Sequence, residues 1–344
     1  MSGRSGTLTI ALALLVALVG VGSVISVPVV ALGPGPTVNT LGDDKGKPVI
    51  TVVGHPVFPT TGHLDMTTVS VTDQLRLFDA VGSWLSPSMQ VVPRTTIYPP
   101  ELTNDGVKEL NNQLFTNSES DAEIAALTYL HEPTKVTVAK VEPDAPARDV
   151  LHQGDRLISV NGQPVGMRTQ VVSVVAATRP GDKVQVVYQR GDSPPVHGVV
   201  TVGIRPGGEP GSPKGYLGIY PSTEPVNPVH ITIALADVGG PSAGLMFTLG
   251  VLDKITPDDL TAGKFIAGTG TIEENGAVGP ISGIPHKMVG ARAKGATVFL
   301  VPDGNCKEAA SSVPDGMRLV RVGNLNDAVN ALQALKAGRP VPGC

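Results

Sequence analysis

Residues 7 to 32 read TLTIALALLVALVGVGSVISVPVVAL and hold no charged side chain. About 20 apolar residues suffice to cross a bilayer. Arg4 and the free amino terminus lie just before the run. The positive-inside rule then puts the N-terminus in the cytoplasm and everything after the run outside. A cleaved signal peptide is the rival. Its apolar region would span about 7 to 15 residues before a small-residue cut site. The exit here, VVALGPGP, offers no clear cut site. The expectation is an uncleaved single-pass membrane anchor over residues 1–33, with the remainder extracytoplasmic.

The 344 residues suggest two or three domains, or one large domain with an insertion. At 41% hydrophobic the chain can bury a sizeable core, but only 3% is aromatic. That core must be built from Val, Leu, Ile and Ala. The net charge is −4 and no basic block occurs, which argues against nucleic acid as the main partner. The two cysteines, Cys306 and Cys344, could pair outside the membrane and pin the C-terminal tail. Two free thiols are the alternative.

Residues 34–48 are rich in Gly and Pro and read as a linker. VITVV from Val49 and LDMTTVSV from Leu64 read as strands. Leu77, Phe78, Val81, Trp84 and Leu85 fall on one helical face. NDGVKELNNQLF and SESDAEIAALTYL read as two further helices, the second opening on good N-cap residues. Segment 49–130 is expected to pack with the last domain.

Residues 131–205 change texture. Strand, short helix, Gly-Asp turn, strand and Asn-Gly turn follow in order, then a helix with Val171, Val172 and Val175 on one side. With PDAPA and GDRLISVNG, this pattern resembles a PDZ domain, expected here as an insertion. Such a domain adds a peptide as an extra strand beside its second helix. A G-L-G-F-like loop usually holds the peptide carboxylate, and none precedes Val136. GYLGI (215–219) has the right look but follows the module, so it reads as a strand leading onward. Whether the groove grips a carboxylate stays open.

After the Gly/Pro joint at 205–215, strands alternate with helices to the end, an α/β or α+β arrangement. Within it lies ADVGGPSAGLMFTLGVL. If a strand ends near Asp237, Gly239 and Gly240 make a turn, and Pro241 suits a first helical position. Ser242 then lies in the first turn, where free N–H groups and the helix dipole suit an oxyanion. By itself the motif is more often a plain turn. GPSAG also fits the G-x-S-x-G elbow of α/β-hydrolases, with Asp253, Asp258 or Asp259 and then His286 following in the required order. The segment is short for such a sheet.

GGPSAGLMFTLGVL, followed by AGTGTIEENGAVGPISGIPHKMVGARAKGATVFLVP, resembles the proteolytic domain of Lon-type serine proteases over residues 215–337. The whole arrangement resembles PDZ-containing Lon-like proteases: α+β, with an N-terminal transmembrane helix, a PDZ-like β-rich module and a Lon-type α/β domain at 215–340. The resemblance implies Ser242 as nucleophile, Lys287 as base and Thr269 as the residue orienting it. Gly240 and Pro241 form the oxyanion turn. It also implies a homo-oligomer, six subunits being one size. Two positions depart from the family pattern: Gly239 stands where an Asp is common, with Asp237 the nearest acid, and Thr271 replaces another acid. Pro285 occupies the site of a second lysine, which leaves Lys287 as the one candidate base.

A lysine serves as a base only when neutral, and burial among apolar groups lowers its pKa from about 10.4. Ile281, Ile284, Met288 and Val289 could supply that setting. No Walker A loop, H-E-x-x-H or close His/Cys cluster occurs, so neither cofactor nor metal is expected. The reading is an ATP-independent serine endopeptidase acting on unfolded or flexible polypeptides chosen by the PDZ module. The alternatives are a PDZ scaffold with an inactive protease fold and a hydrolase of small esters.

Overall fold

A computed structural model describes the chain except for residues 1, 87, 100, 207–213, 228, 236 and 237. The apolar N-terminal run does not form one helix. Helix α1 (Ser2–Gly22) stops, and strand β1 (Val29–Asn39) begins directly after Pro28. Proline lacks an N–H and drives the preceding residue out of helical conformation. The β-branched pair behind it favours a strand. Val30 and Ala31 are fully buried.

No helix among the described residues is long and apolar enough to cross a membrane. This corrects the expected fold class, in which a transmembrane helix led the chain. The single-pass anchor, its cytoplasmic N-terminus and the extracytoplasmic placement of the rest fall with it. The physical reason is that the second part of the apolar run is sheet interior. The expected linker is corrected too. β1 continues through it to Asn39, with a register shift between Pro34 and Thr37.

Strand β2 (His63–Thr72), helix α2 (Leu77–Leu85), strand β3 (Gln90–Pro93) and helix α3 (Asn104–Tyr129) follow. The apolar face of α2 stays exposed, with Trp84 at 72%. The two helices expected between 104 and 129 are one. The cap-forming serines do not break it: Ser118 donates its hydroxyl to the Pro241 carbonyl, 3.2 Å away.

Next come β4 (Thr134–Val141), β5 (Arg156–Val160), helix α4 (Arg168–Ala176), β6 (Lys183–Gln189), β7 (Val196–Thr201) and β8 (Ile219–Pro225). Their sheet runs β7-β6-β5-β4-β8. Asn161 and Gly162 both take positive φ, as the Asn-Gly turn requires. β8 pairs antiparallel with β4. GYLGI therefore closes this module instead of leading away from it, and the module extends beyond residue 205.

Further along come α5 (Gly244–Ile255), β9 (Phe265–Gly268), β10 (Thr271–Ile272), β11 (Val278–Gly279), α6 (Ile284–Lys294), β12 (Val298–Pro302), α7 (Cys306–Ala310), β13 (Arg318–Val322) and α8 (Leu325–Lys336). The central sheet runs β13-β12-β9-β2-β1-β3. β1 pairs antiparallel with β2 and β3, and the other neighbours are parallel.

Alternation along the strands splits the core in two. Leu64, Met66, Ile266 and Leu300 pack with α5, whose Leu245, Met246, Phe247 and Leu249 are fully buried. Ala267, Phe299 and Val301 pack with Ile284, Met288 and Ala291 of α6. Phe115 of α3 meets Phe247 of α5 edge-on. α6 lies close on β1 because both lack side chains at the contact. A Cβ on Gly290 would lie 3.2 Å from the Gly35 carbonyl.

Cys306 and Cys344 are joined, with their Cα atoms 5.1 Å apart. The tail runs back along β13, where Arg321 N–H donates to the Pro342 carbonyl. Closing a loop of sequence separation 38 restricts the unfolded chain. Reduction should lower unfolding stability by about 2–4 kcal/mol, read as a shifted urea midpoint, and Cys344→Ser should match it. A midpoint indifferent to reductant would show that the link contributes nothing.

Candidate active site

Ser242 is presented by a bend, not by a helix turn. Gly240 takes φ +85°, where any side chain would be strained. Its N–H donates to the Asn111 carbonyl of α3 (3.0 Å), and Ser118 of the same helix holds Pro241. The helix begins only at Gly244, later than the sequence suggested. The reason is that the Ser242 carbonyl is already engaged. It accepts from Gly270 N–H at 2.9 Å and from the Thr269 hydroxyl at 3.0 Å. Asp237 lies outside the described residues.

Among the described residues, neither Ser242 nor Ala243 finds an acceptor for its backbone N–H. Both are free to serve an incoming oxygen. Gly240 and Pro241 are not such donors, since one N–H is used and the other does not exist. They shape the bend.

Lys287 lies in the first turn of α6. Gly283, at φ +71°, starts that helix, and Pro285 occupies its opening turn. A Cβ on Gly283 would lie 2.8 Å from a Val69 methyl, so glycine is needed twice over. Asn305 fixes the preceding turn, accepting from Ile281 N–H (2.9 Å) and donating to its carbonyl (2.8 Å).

Lys287 is 2% exposed. Its Nζ lies 2.8 Å from Ser242 Oγ, 2.8 Å from the Thr67 carbonyl of β2 and 3.1 Å from Thr269 Oγ1. Burial brings its pKa down from 10.5 to about 7. Ile284 and Met288 are buried beside it, whereas Val289 turns outward at the surface. A neutral amine has two N–H groups and one lone pair. Thr67 and Thr269 take the two N–H groups, which leaves the lone pair to the serine hydroxyl.

The rival constellation is not assembled. His286 is buried with its pKa lowered by that burial, and it bonds to the Ser88 backbone. Asp253 accepts from Leu260 N–H, and Asp259 from Thr261 and Ala262 N–H. Asp258 is exposed. Thr271 pairs with Gly279 in a hairpin. Sequence reasoning missed Thr67, because it acts through a carbonyl that any residue carries. It also missed the α3 contacts of Asn111 and Ser118.

A second concavity of about 470 Å³ lies between α4 and β8, lined by Val172, Val175, Ile204, Leu217 and Ile219 among others. Gly218 takes φ +73°, and a Cβ there would lie 2.3 Å from Ala145. The Leu217 and Gly218 N–H groups have no acceptor among the described residues.

Comparison with known proteins finds two matching family models. Residues 106–195 match the PDZ domain model, and residues 218–334 match that of the Lon protease (S16) C-terminal proteolytic domain. "Lon protease" of Phenylobacterium zucineum (strain HLK1) is 31% identical over 121 residues, 33% of this chain and 15% of that protein. "Lon protease 2" of Syntrophobacter fumaroxidans is 31% identical over 90 residues, 26% of this chain and 11% of that protein. The chain thus spans only a small part of the length of these relatives. Among solved structures, the PDZ domain of the SdrC-like protein from Listeria monocytogenes is 25% identical. It covers 24% of this chain and 83% of its own, at a TM-score of 0.22.

The buried amine should leave a signature in stability. Its folded pKa lies below the unfolded value. Folding is therefore penalised in full below about pH 7, and the penalty fades as pH rises towards 10.5. Lys287→Met should be more stable than the parent near neutrality, by on the order of 3 kcal/mol. The gap should close in urea melts run towards pH 10.5. A gap that does not change with pH would mean the amine is not buried as charge.

Proposed function

We propose that this chain is a serine endopeptidase with Ser242 as nucleophile and Lys287 as general base. The observation that carries this reading is the 2.8 Å approach of a buried amine, its pKa near 7, to a hydroxyl on a rigid bend. The neutral Nζ accepts the Ser242 proton as Oγ attacks a peptide carbonyl carbon. The oxyanion is received by the Ser242 and Ala243 N–H groups. The ammonium formed is held by the Thr67 carbonyl and Thr269 Oγ1. It gives its proton to the departing amine, and the C–N bond breaks. Water then attacks the acyl-serine with Nζ again as base, releasing the acid and restoring the hydroxyl.

The substrate in this reading is a polypeptide with a flexible stretch, since the serine must reach a carbonyl in an extended backbone. The groove between α4 and β8 selects it. An extended chain end adds beside β8, its carboxylate facing the Leu217 and Gly218 N–H groups and an apolar last side chain between Val172 and Ile204.

Cleavage of a disordered protein should fall by at least about a thousandfold in Ser242→Ala and about a hundredfold or more in Lys287→Ala. Thr269→Val should retain more activity than either. In the parent, kcat/KM should rise with pH through about 7 as the amine loses its proton. Cleavage that survives both single substitutions, or a flat acid limb, would remove the dyad from the mechanism.

A further inference from the structure

Arg168 opens α4, the helix that walls the groove. Its backbone N–H donates to Thr223 Oγ1 of β8 at 2.7 Å. Helix and strand are therefore tied together at the end of the groove away from Leu217. The guanidinium leaves the module altogether. One Nη donates to Asp121 of α3, and Nε lies 3.4 Å from Glu274. Glu274 belongs to the turn joining β10 to β11 and is 1% exposed. The Thr169 N–H also points at its carboxylate, at 3.5 Å.

Both acidic partners lead to the serine. From Asp121, one turn back along α3, Ser118 holds the Pro241 carbonyl, and two turns further Asn111 holds Gly240. From Glu274, β10 leads back to Ile272, which packs on the start of α5. A Cβ on Gly244 would lie 2.7 Å from the Ile272 side chain. Gly270 then grips both sides of the bend, donating to the Ser242 carbonyl and accepting from Leu245 N–H. Thr269, next in line, accepts from the Lys287 amine.

A buried carboxylate cannot lose its cation cheaply. When α4 shifts, the Glu274 turn has to follow or be left charged and unpaired. We propose that Arg168 is a positioning residue that couples filling of the groove to the alignment of Ser242 with Lys287. This rests on the catalytic reading above. A chain end held at Leu217 and Gly218 runs along β8 towards Thr223. It presses between strand and helix where Arg168 ties them. The displacement reaches the serine bend from two sides, through α3 and through the β10–β11 hairpin.

The test uses the full chain. The substrate is an internally quenched decapeptide blocked as its C-terminal amide. The groove probe is a hexapeptide ending in leucine with a free carboxylate, and its amide is the control. The probe should raise kcat by about fivefold or more with little change in KM, while the amide does not. In Arg168→Met the probe should still bind, by fluorescence anisotropy, yet raise kcat less than about twofold. Arg168→Lys should recover part of the response, since it restores charge without the planar fork. A merely structural role would depress the basal rate and leave the response ratio intact. Equal ratios in the parent and Arg168→Met would overturn the proposal, as would a bound probe without any rise in the parent. Cleavage persisting in a Ser242→Ala blank would instead overturn the catalytic reading, and the coupling with it.

Discussion

A lysine amine cut off from water has to be met by oxygens from elsewhere in the fold, and here they come from three distant stretches of chain. Thr67 offers a strand carbonyl, Thr269 a hydroxyl just past the end of β9, and Ser242 a hydroxyl on a glycine bend. None of the three is adjacent to Lys287 in sequence. The arrangement therefore exists only when β2, β9 and α6 are stacked in register. The packing serves that register. Alternate residues of β9 and β12 face α5 and α6 in turn, and Gly35 and Gly290 let α6 close on β1. Asn305 clamps the turn ahead of Lys287 from a position next to the bridged Cys306.

The serine side is built on a different logic. A helix start would have oriented Ser242 through its own hydrogen bonds. The bend instead spends its carbonyl on Gly270 and Thr269, so its posture is set by the hairpin and by α3. That makes the Ser242 hydroxyl sensitive to elements outside the helix that follows it. Two of those elements carry the acidic groups that Arg168 bridges.

What could be read in the sequence was what local pattern encodes. Ser242, Lys287 and Thr269 each stand in a recognisable string. The alternating run from Leu64 marks β2, and Asn161-Gly162 marks the turn after β5. What could not be read depended on pairing across the chain. Thr67 contributes only a carbonyl. Ser118 looks like a helix cap and serves as a buttress. GYLGI resembles a carboxylate loop, but its position after the module hid the fact that β8 folds back beside β4. The apolar run from 7 to 32 misled for a related reason. Its end, Val30 to Leu32, is buried in the sheet, whereas Ile10, Leu14 and Leu18 of α1 are exposed, and hydropathy does not tell these two parts apart.

That division of the run has a practical bearing on how the chain can be shortened. A version begun at residue 34, the natural cut if everything before it were a dispensable leader, would discard Val30, Ala31 and Leu32. Those residues are flanked by β2 on one side and β3 on the other. Such a trimmed chain would keep Ser242 and Lys287 intact in sequence while opening a seam through the platform on which α6 rests.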